Sequence, residues 1–382
     1  MTKQFAGDAL PFIDLQAQYA RLKTEIDSGL QRVLDHGKFI LGPEVDALEA
    51  ALAVHVGVNH MVSCANGTDA LILALLAENI GPGDAVFVPA FTFTATAETV
   101  LLVGASPVFV DVEANSFLID IDDLERKIAT AVTAGTHTPR AVISVDLFGL
   151  PADYKRLSSV AEAHDLFLLA DAAQSLGATY HGQAVGAIAP ATVTSFYPAK
   201  PLGCYGDGGA LFTDDPARAE LWRSLRGHGV GDGAYDVVRI GMNSRLDTLQ
   251  AAVLLAKLPG FAGEIEARER VAKFYDSHLP ASLTLPPRRS GCTSAWAQYT
   301  IRVADRAGLA AALRQEGIPT AIHYPLPMHL QPAYAQYGEG KGSLPISEQL
   351  SQRVLTLPMH PYLEEATIET ICHGVRLGLQ SV

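Results

Sequence analysis

The sequence lacks the residue patterns that mark metal centres, disulfide frameworks and dinucleotide sites. Its 382 residues include few cysteines, none of them in CxxC spacing: Cys64, Cys204, Cys292 and Cys372. The 12 histidines form no HExxH pattern, so we expect no metal site and disfavour a metal hydrolase. No GxGxxG motif follows an apolar strand, and the glycines of 203–209 have the wrong spacing, which disfavours a nicotinamide oxidoreductase.

Long apolar runs and positive charge are also scarce. The longest apolar segments, such as Leu71–Ala77, are far shorter than the ~20 residues that span a bilayer. With a formal net charge of -13, the chain does not have the basic balance typical of proteins that bind nucleic acid or anionic membranes. Residues 1–12 contain no long apolar core of a secretory signal. We therefore expect a cytoplasmic protein that binds neither nucleic acid nor membrane.

Alternating helical patterns and short apolar runs predict an α/β fold. Helices are expected where apolar residues recur every three or four positions, at 15–34, 43–56, 69–76, 95–103, 154–163 and 246–258. Buried strands are expected at 61–64, 85–88, 107–110, 141–145, 166–170 and 193–197. This alternation predicts a mostly parallel sheet with helices on both faces. We place a large domain at residues 1–258 and a smaller α+β domain at 259–382.

Asp171 directly follows the apolar run LFLLA, so we expect it at the carboxyl end of a strand. That edge is where open α/β sheets bind ligands. Gln174 comes three residues later and would lie near the same face of a following helical turn. A cap of the next helix is the alternative role for Asp171, and this pattern alone does not choose between the two.

Lys200 lies between an apolar strand and the glycine-rich segment 203–209. Most lysines are solvated surface charges, but this one is flanked by Tyr197, Pro198 and Pro201, with few charges nearby. Desolvation lowers the pKa of an amine and makes it a nucleophile toward an aldehyde. The glycines would let the backbone turn tightly beside a ligand, although an ordinary hairpin would use them as well.

Two further segments suggest contacts to a phosphate and to a flat ring. Gly67 and Thr68 begin a predicted helix, and helix N-termini bind phosphate through free N–H groups and the positive end of the dipole. A plain helix cap would also explain this motif. Phe91 and Phe93 lie at the end of a possible strand, where one of them could stack on a planar ring or both could fill the core.

Together these residues match the needs of a pyridine cofactor. Such a cofactor needs a lysine for a Schiff base, a carboxylate that keeps the ring nitrogen protonated, a phosphate site and a flat neighbour. Lys200 and Asp171 would supply the first two from successive core strands, and Ser195 could donate to the phosphate. The combination predicts a pyridoxal-phosphate enzyme that moves an amino group.

The chain resembles the DegT/DnrJ/EryC1/StrS family of pyridoxal-phosphate-dependent nucleotide-sugar aminotransferases. The resemblance extends from about Phe12 to the C-terminus, in the motifs ANGTDAL, PAFTFTATAET, ADAAQSLGA, TSFYPAKPLGCYGDGGA, GMNSRLDTLQAA and AIHYPLPMH. It implies the type I aminotransferase fold and a homodimer whose active sites are shared between subunits. It also implies pyridoxal 5'-phosphate as cofactor and L-glutamate as amino donor, which leaves as 2-oxoglutarate.

The resemblance assigns roles to the residues that match its motifs. Lys200 resembles the Schiff-base lysine, Asp171 the partner of the pyridine nitrogen, and Gln174 the residue near the cofactor's phenolic oxygen. The other cofactor contacts that it implies are Phe93 at the stacking position, Gly67, Thr68 and Ser195 at the phosphate, and Asn243 at the phosphate of the other subunit. Because position 200 is lysine and not the histidine of a deoxygenating branch, the resemblance implies transamination.

Within the family, TSFYPAKPLGCYGDGGA and NSRLDTLQAA look closest to the UDP-3-keto-N-acetylglucosaminuronate 3-aminotransferases. This implies UDP-2-acetamido-2-deoxy-3-keto-glucuronate as substrate, in the synthesis of bacterial surface polysaccharide such as the O-antigen of lipopolysaccharide. The C6 carboxylate of that sugar requires a cationic partner, for which Arg245 and His323 are the candidates, with Tyr324 beside them. An interface ion pair for Arg245 and a hydrogen-bonded histidine in the small domain are the alternatives.

Two other functions stay open from the sequence. An aminotransferase for a 3-keto- or 4-keto-6-deoxy sugar nucleotide would share every cofactor residue. A regulator that binds the cofactor without turnover is disfavoured by the intact set of Lys200, Asp171 and Gln174.

Overall fold

The computed structural model describes residues 10–233 and 235–380. Its helices are α1 Leu15–His36, α2 Pro43–Val56, α3 Gly67–Ala77, α4 Ala95–Leu102, α5 Ile121–Ala134, α6 Tyr154–Ala163, α7 Pro216–Arg226, α8 Thr248–Lys257, α9 Phe261–His278, α10 Arg306–Gln315, α11 Pro345–Arg353 and α12 Glu365–Gln380. Its strands are β1 His60–Cys64, β2 Asp84–Pro89, β3 Ser106–Val110, β4 Thr138–Val145, β5 Phe167–Asp171, β6 Thr179–Tyr180, β7 Gln183–Ala184, β8 Ala191–Ser195, β9 Gly209–Thr213, β10 Tyr299–Arg302 and β11 Val354–Leu357. Among the described residues, no helix has both the length and the apolar character that crossing a membrane requires.

Ordinary capping signals set the helix boundaries. The Asn66 side chain accepts a hydrogen bond from the Asp69 N–H and begins α3, and Asp120 begins α5 in the same way. Pro43 occupies the first turn of α2, where its missing N–H has no partner to lose. Gly37 ends α1 in the left-handed conformation that favours glycine (φ 69°).

The central sheet has seven strands in the order β1-β9-β8-β5-β4-β2-β3. Strand β9 is antiparallel to both of its neighbours, and the remaining pairs are parallel. The mostly parallel sheet flanked by helices that the sequence predicts is therefore confirmed. The carboxyl ends of β4, β5 and β8 lie side by side, and this edge carries the site described below.

A second, smaller core lies in the C-terminal part of the chain. Strands β10 and β11 pair antiparallel, and α9, α10 and α12 pack around them. The chain between these two strands returns to the large sheet, because Met328, Tyr334 and Leu344 belong to the core of that sheet. The division into domains 1–258 and 259–382 stays a prediction. The returning segment belongs to the second of these ranges in sequence but packs against the first.

Polar contacts anchor the returning segment. Asp111, directly after β3, accepts hydrogen bonds from the N–H and the hydroxyl of Ser347 at the start of α11, at 2.8 and 2.6 Å. The Met328 N–H donates to the Ala90 carbonyl at 2.7 Å. These bonds hold the segment against the end of β2, which brings Tyr324 to the carboxyl edge of the sheet.

Candidate active site

Asp171 is the last residue of β5, paired with Val145 of β4 and Val193 of β8. Its side chain is buried, and Oδ1 accepts a hydrogen bond from the Ala173 N–H at 3.0 Å. Burial raises the pKa of Asp171, whereas the Ala173 N–H and the charge of Lys200 lower it. Turns and not a helix follow Asp171, so it does not cap a helix.

Lys200 lies in the connection between the antiparallel strands β8 and β9. Its N–H donates to the Tyr197 carbonyl at 2.8 Å, which closes a turn beyond the end of β8. Burial lowers the pKa of the Lys200 amine, and the nearby charge of Asp171 opposes that shift. The two side chains that the sequence singles out are therefore close enough at this edge of the sheet for the charge of each to affect the pKa of the other.

The N-terminus of α3 crosses the end of β8 at close range. A Cβ added at Gly67 would lie 2.7 Å from Cβ of Ser195, and one added at Gly209 would lie 2.3 Å from the Asn66 carbonyl oxygen. The N–H groups of Gly67 and Thr68 belong to the first turn of α3, where a helix offers them no acceptor. This crossing presents N–H groups, a serine hydroxyl and the positive end of a helix to an anion.

Gln174 and two aromatic rings line the neighbouring part of the site. The buried Gln174 amide accepts a hydrogen bond from the Phe148 N–H at 2.6 Å through Oε1, and its Nε2 donates to the Tyr324 hydroxyl at 3.5 Å. The Tyr324 ring is 6.2 Å from the rings of both Phe91 and Phe93. Phe91 is 1% exposed and fills the core, whereas Phe93 is 53% exposed and is free to face a ligand.

His323 approaches the site on the returning segment. Its Nδ1 lies 3.0 Å from Oγ1 of Thr356. Burial and, secondly, the charge of Lys200 lower the pKa of His323 below its ordinary value. Both causes disfavour the charged form of the ring, whereas the neutral form can still offer a hydrogen bond to a ligand.

Asn243 and Arg245 lie beside the residues that precede α3. Nη2 of Arg245 donates to Oδ1 of Asn243 at 2.6 Å, and both residues line a cavity together with Asn66. Within residues 10–233 and 235–380, no hydrogen bond or ion pair joins either of them to Lys200 or Asp171. One chain thus assembles most of the expected residues at one edge and holds these two beside the loop before α3.

The family of the chain follows from its sequence as a whole. The sequence profile of the DegT/DnrJ/EryC1/StrS aminotransferase family matches residues 20–376. The chain belongs to this family. The match covers the large sheet, all of the second core except Leu10, and every residue of the site described above.

Relatives of known name are similar to the chain over nearly its whole length. A UDP-2-acetamido-2-deoxy-3-oxo-D-glucuronate aminotransferase from Pseudomonas aeruginosa is 46% identical over 95% of this chain and 98% of its own. A UDP-N-acetyl-3-dehydro-alpha-D-glucosamine 3-aminotransferase from Acidithiobacillus ferrooxidans is 43% identical over 97% of this chain and 98% of its own. The crystal structure of a DegT/DnrJ/EryC1/StrS aminotransferase from Brucella abortus superposes with a TM-score of 0.94 at 51% identity, covering 96% of this chain and 98% of the other. The expected type I aminotransferase fold is confirmed.

This member of the DegT/DnrJ/EryC1/StrS family is a pyridoxal-phosphate-dependent aminotransferase. NtdA from Bacillus subtilis, solved with bound cofactor PMP, has a TM-score of 0.87 at 27% identity and covers 99% of this chain and 87% of its own. The residues fit that cofactor, because an amine and an acid influence each other's pKa at one edge of the sheet, beside a helix N-terminus that approaches Ser195 so closely that a Cβ at Gly67 would collide with it. When bound, the cofactor supplies an aldehyde carbon that bonds amines and a ring that accepts electrons.

Sequence reasoning missed Asp146, which directly follows β4. Its buried carboxylate accepts hydrogen bonds from the Ala152 N–H at 2.9 Å and from the hydroxyls of Tyr154 and Ser175, both at 2.7 Å. Burial raises the pKa of Asp146 to about 7, against the effect of these three donors. Its own N–H donates to the Asp171 carbonyl at 3.1 Å. Asp171 was identified because an acidic residue directly follows an apolar strand. The segment ISVD shows the same pattern, which would have identified Asp146.

Proposed function

We propose that this aminotransferase transfers an amino group from L-glutamate to UDP-2-acetamido-2-deoxy-3-keto-glucuronate. The reaction type rests on the pair of Lys200 and Asp171 beside an anion site. The sugar is supported by the names of the P. aeruginosa and A. ferrooxidans relatives, which both specify a UDP-linked amino sugar with a keto group at C3. The product would be a diamino-uronate precursor of bacterial surface polysaccharide such as O-antigen, made in the cytoplasm.

Each residue of the site has a defined task in this proposal. With the cofactor bound, Nζ of Lys200 would act as the base that moves a proton between the amino-bearing carbon and the cofactor carbon that carries the nitrogen, in one direction in the first half-reaction and in the other direction in the second. The lowered pKa of Lys200 suits an amine that must spend time unprotonated. Asp171 holds the proton on the ring nitrogen, and Gln174 donates to the ring's phenolic oxygen. Phe93 covers the face of the ring.

A second copy of the chain completes the site in this proposal. The segment before Asn243 carries strongly exposed apolar side chains, Tyr235 (98%), Val237 (59%), Val238 (52%) and Ile240 (89%). Exposed apolar groups concentrated in one segment are typical of an interface. Asn243 and Arg245 follow this segment directly, and within residues 10–233 and 235–380 neither of them bonds to Lys200 or Asp171 of the same chain. In this proposal they would serve the phosphate and the sugar carboxylate in the site of the other subunit.

The carboxylate of the sugar is the feature that separates the candidate substrates. Arg245 supplies a permanent positive charge, whereas His323, whose charged form burial disfavours, would add a hydrogen bond. A charge-assisted hydrogen bond contributes about 1.5–3 kcal/mol, enough for a preference of about tenfold or more for the uronate over its neutral counterpart. A 6-deoxy sugar would leave that charge without a partner.

A substrate panel tests the proposal. Purified enzyme with cofactor and L-glutamate is given the 3-keto uronate, the neutral 3-keto N-acetylglucosamine nucleotide and 4-keto-6-deoxy sugar nucleotides, and the products are identified by mass spectrometry. We expect amination of the uronate with release of one 2-oxoglutarate for each amine. Preferred amination of a 6-deoxy sugar would replace the proposed substrate, and amination of none of them would contradict the proposed class of sugar.

A further inference from the structure

We infer that Lys257 is a positioning residue for the connection that carries Lys200, an inference that rests on the proposed role of Lys200. Lys257 is the last residue of α8, and only 3% of it is exposed. Its Nζ donates a hydrogen bond to the carbonyl oxygen of Gly203, three residues beyond Lys200. A buried ammonium group is therefore hydrogen-bonded to the backbone near the lysine proposed to bind the cofactor.

The surroundings of Lys257 favour the neutral form of its amine, and yet the charge persists at neutral pH. Burial lowers the pKa of Lys257 to about 8, Glu264 and Cys204 oppose this shift, and Arg268 adds to it. The Tyr205 ring, whose centroid is 5.5 Å from Nζ, offers a weak cation–π contact. A buried cation that is incompletely paired lowers stability relative to an apolar side chain of the same size. The hydrogen bond that the structure gives this amine is the one to the Gly203 carbonyl.

The backbone links Gly203 directly to the turn of Lys200. A Cβ added at Gly203 would lie 2.6 Å from the Tyr197 carbonyl oxygen, the same atom that accepts the Lys200 N–H. Gln250, two turns before Lys257 in α8, binds the connection two residues beyond Gly203, because its Oε1 accepts the Tyr205 N–H at 2.9 Å. One face of α8 thus holds the connection at two nearby points, and the contact nearer to Lys200 is the one that Lys257 makes with Gly203.

Deprotonation of Lys257 should affect the stability of the whole fold and the local hydrogen bond to Gly203 in opposite directions. Because the folded-state pKa of about 8 lies below the ordinary value of 10.5, the unfolded chain binds more protons between these two values. The titration itself therefore increases the free energy of unfolding as pH rises from about 8 toward 10.5. Over the same range the bond to Gly203 loses its charge assistance. The connection should loosen locally while this group stabilises the fold.

Hydrogen exchange of the cofactor-free protein tests this inference. We expect amides of residues 197–208 to exchange about tenfold faster in Lys257→Met at pH 7, equivalent to the loss of one hydrogen bond, with exchange in α9 and α12 unchanged. Lys257→Gln, which keeps a donor without a titratable group, should stay within about threefold of wild type. After correction for intrinsic exchange, protection of 197–208 should fall between pH 7 and 9 in wild type and not in Lys257→Gln.

A matched control removes a buried hydrogen bond of the same kind elsewhere. Tyr275→Phe deletes the hydroxyl that donates to the Pro358 carbonyl at 2.8 Å in the second core, and it should leave 197–208 unchanged. Wild-type exchange of 197–208 in Lys257→Met would overturn the inference, as would equally faster exchange throughout the chain. If Lys257→Met does not fold, equal pH dependence in wild type and Lys257→Gln overturns it instead. A wild-type protein in which borohydride traps no cofactor on Lys200 would contradict the proposed function. The hydrogen-exchange result would still hold in that case.

Discussion

The Asp171 carboxylate and the Lys200 amine shift each other's pKa across the carboxyl edge of the sheet. The amine lowers the pKa of the acid, and the acid raises the pKa of the amine, while burial acts against the charge on both. Each charge is therefore supported by the other in a setting that would otherwise disfavour it. A change at either residue should be felt at both.

Lys200→Ala should abolish transamination, because it removes both the covalent anchor of the cofactor and the group that moves the proton. Cofactor would be retained only through the phosphate site and the acid. Steady-state release of 2-oxoglutarate from glutamate measures the loss, and Lys155→Ala, at an exposed lysine, serves as the control. Near-native turnover in Lys200→Ala would contradict the assignment.

Asp171→Asn should keep the fold and lose about 10²–10⁴ in kcat, the range typical of a group that manages a proton in the transition state. The fold should survive because an amide oxygen can still accept the Ala173 N–H. The charge that raises the pKa of Lys200 is then gone, so the capture of cofactor by the empty enzyme should extend to lower pH. Stopped-flow absorbance against pH measures that shift. An unchanged profile would show that the two groups are not coupled.

Gly67→Ala should weaken cofactor binding by about tenfold or more, because the new Cβ would lie 2.7 Å from Cβ of Ser195 and push the start of α3 away from β8. Gly263→Ala is the matched control, since a Cβ there meets nothing within 4 Å and α9 should gain slightly in stability. Titration of the empty enzyme with pyridoxal phosphate measures both. Equal affinities for pyridoxal phosphate in the two variants would show that the crossing of α3 and β8 does not bind the phosphate.

Asp146→Asn should change the pH dependence of stability. The folded-state pKa of about 7 exceeds the ordinary 3.8, so the folded chain binds the extra proton between these values, and the free energy of unfolding from this group falls as pH rises. The variant lacks that fall, which amounts to a few kcal/mol. Urea unfolding at pH 5 and pH 7 should therefore show the wild type losing more stability than Asp146→Asn. Parallel curves would mean that the wild-type acid stays ionised throughout.

Arg245→Met should lower kcat/KM for the uronate by about tenfold or more and change it little for the neutral 3-keto sugar. The expectation follows from the proposed contact between the guanidinium and the sugar carboxylate. The same loss for both sugars would show that Arg245 supports the interface or Asn243, which accepts its hydrogen bond at 2.6 Å, rather than the carboxylate.

Much of the sheet and of its functional edge could be predicted from local patterns. An apolar run that ends in an acid predicts a buried strand with Asp171 at its carboxyl end, and the structure places it there. Lys200 after the next core strand follows from the same logic, and the two strands are neighbours in the sheet. These features depend on the period of the strands and on chain order, which the sequence carries directly.

Other features depend on tertiary packing that no local pattern encodes. The choice between Phe91 and Phe93 depends on which ring Phe117 and the sheet bury. The lowered pKa of His323 depends on its burial where the segment after β10 packs back against the large sheet. Lys257 is an ordinary last-turn lysine in the sequence, and only its contact with Gly203 distinguishes it.

The most direct test of the account is borohydride reduction of the purified enzyme with its cofactor, followed by mass spectrometry of its peptides. Reduction should abolish the visible absorbance and leave the pyridoxyl phosphate group on Nζ of Lys200. A protein that stays colourless when supplied with pyridoxal phosphate, or that carries the group on another lysine, would contradict the central claim.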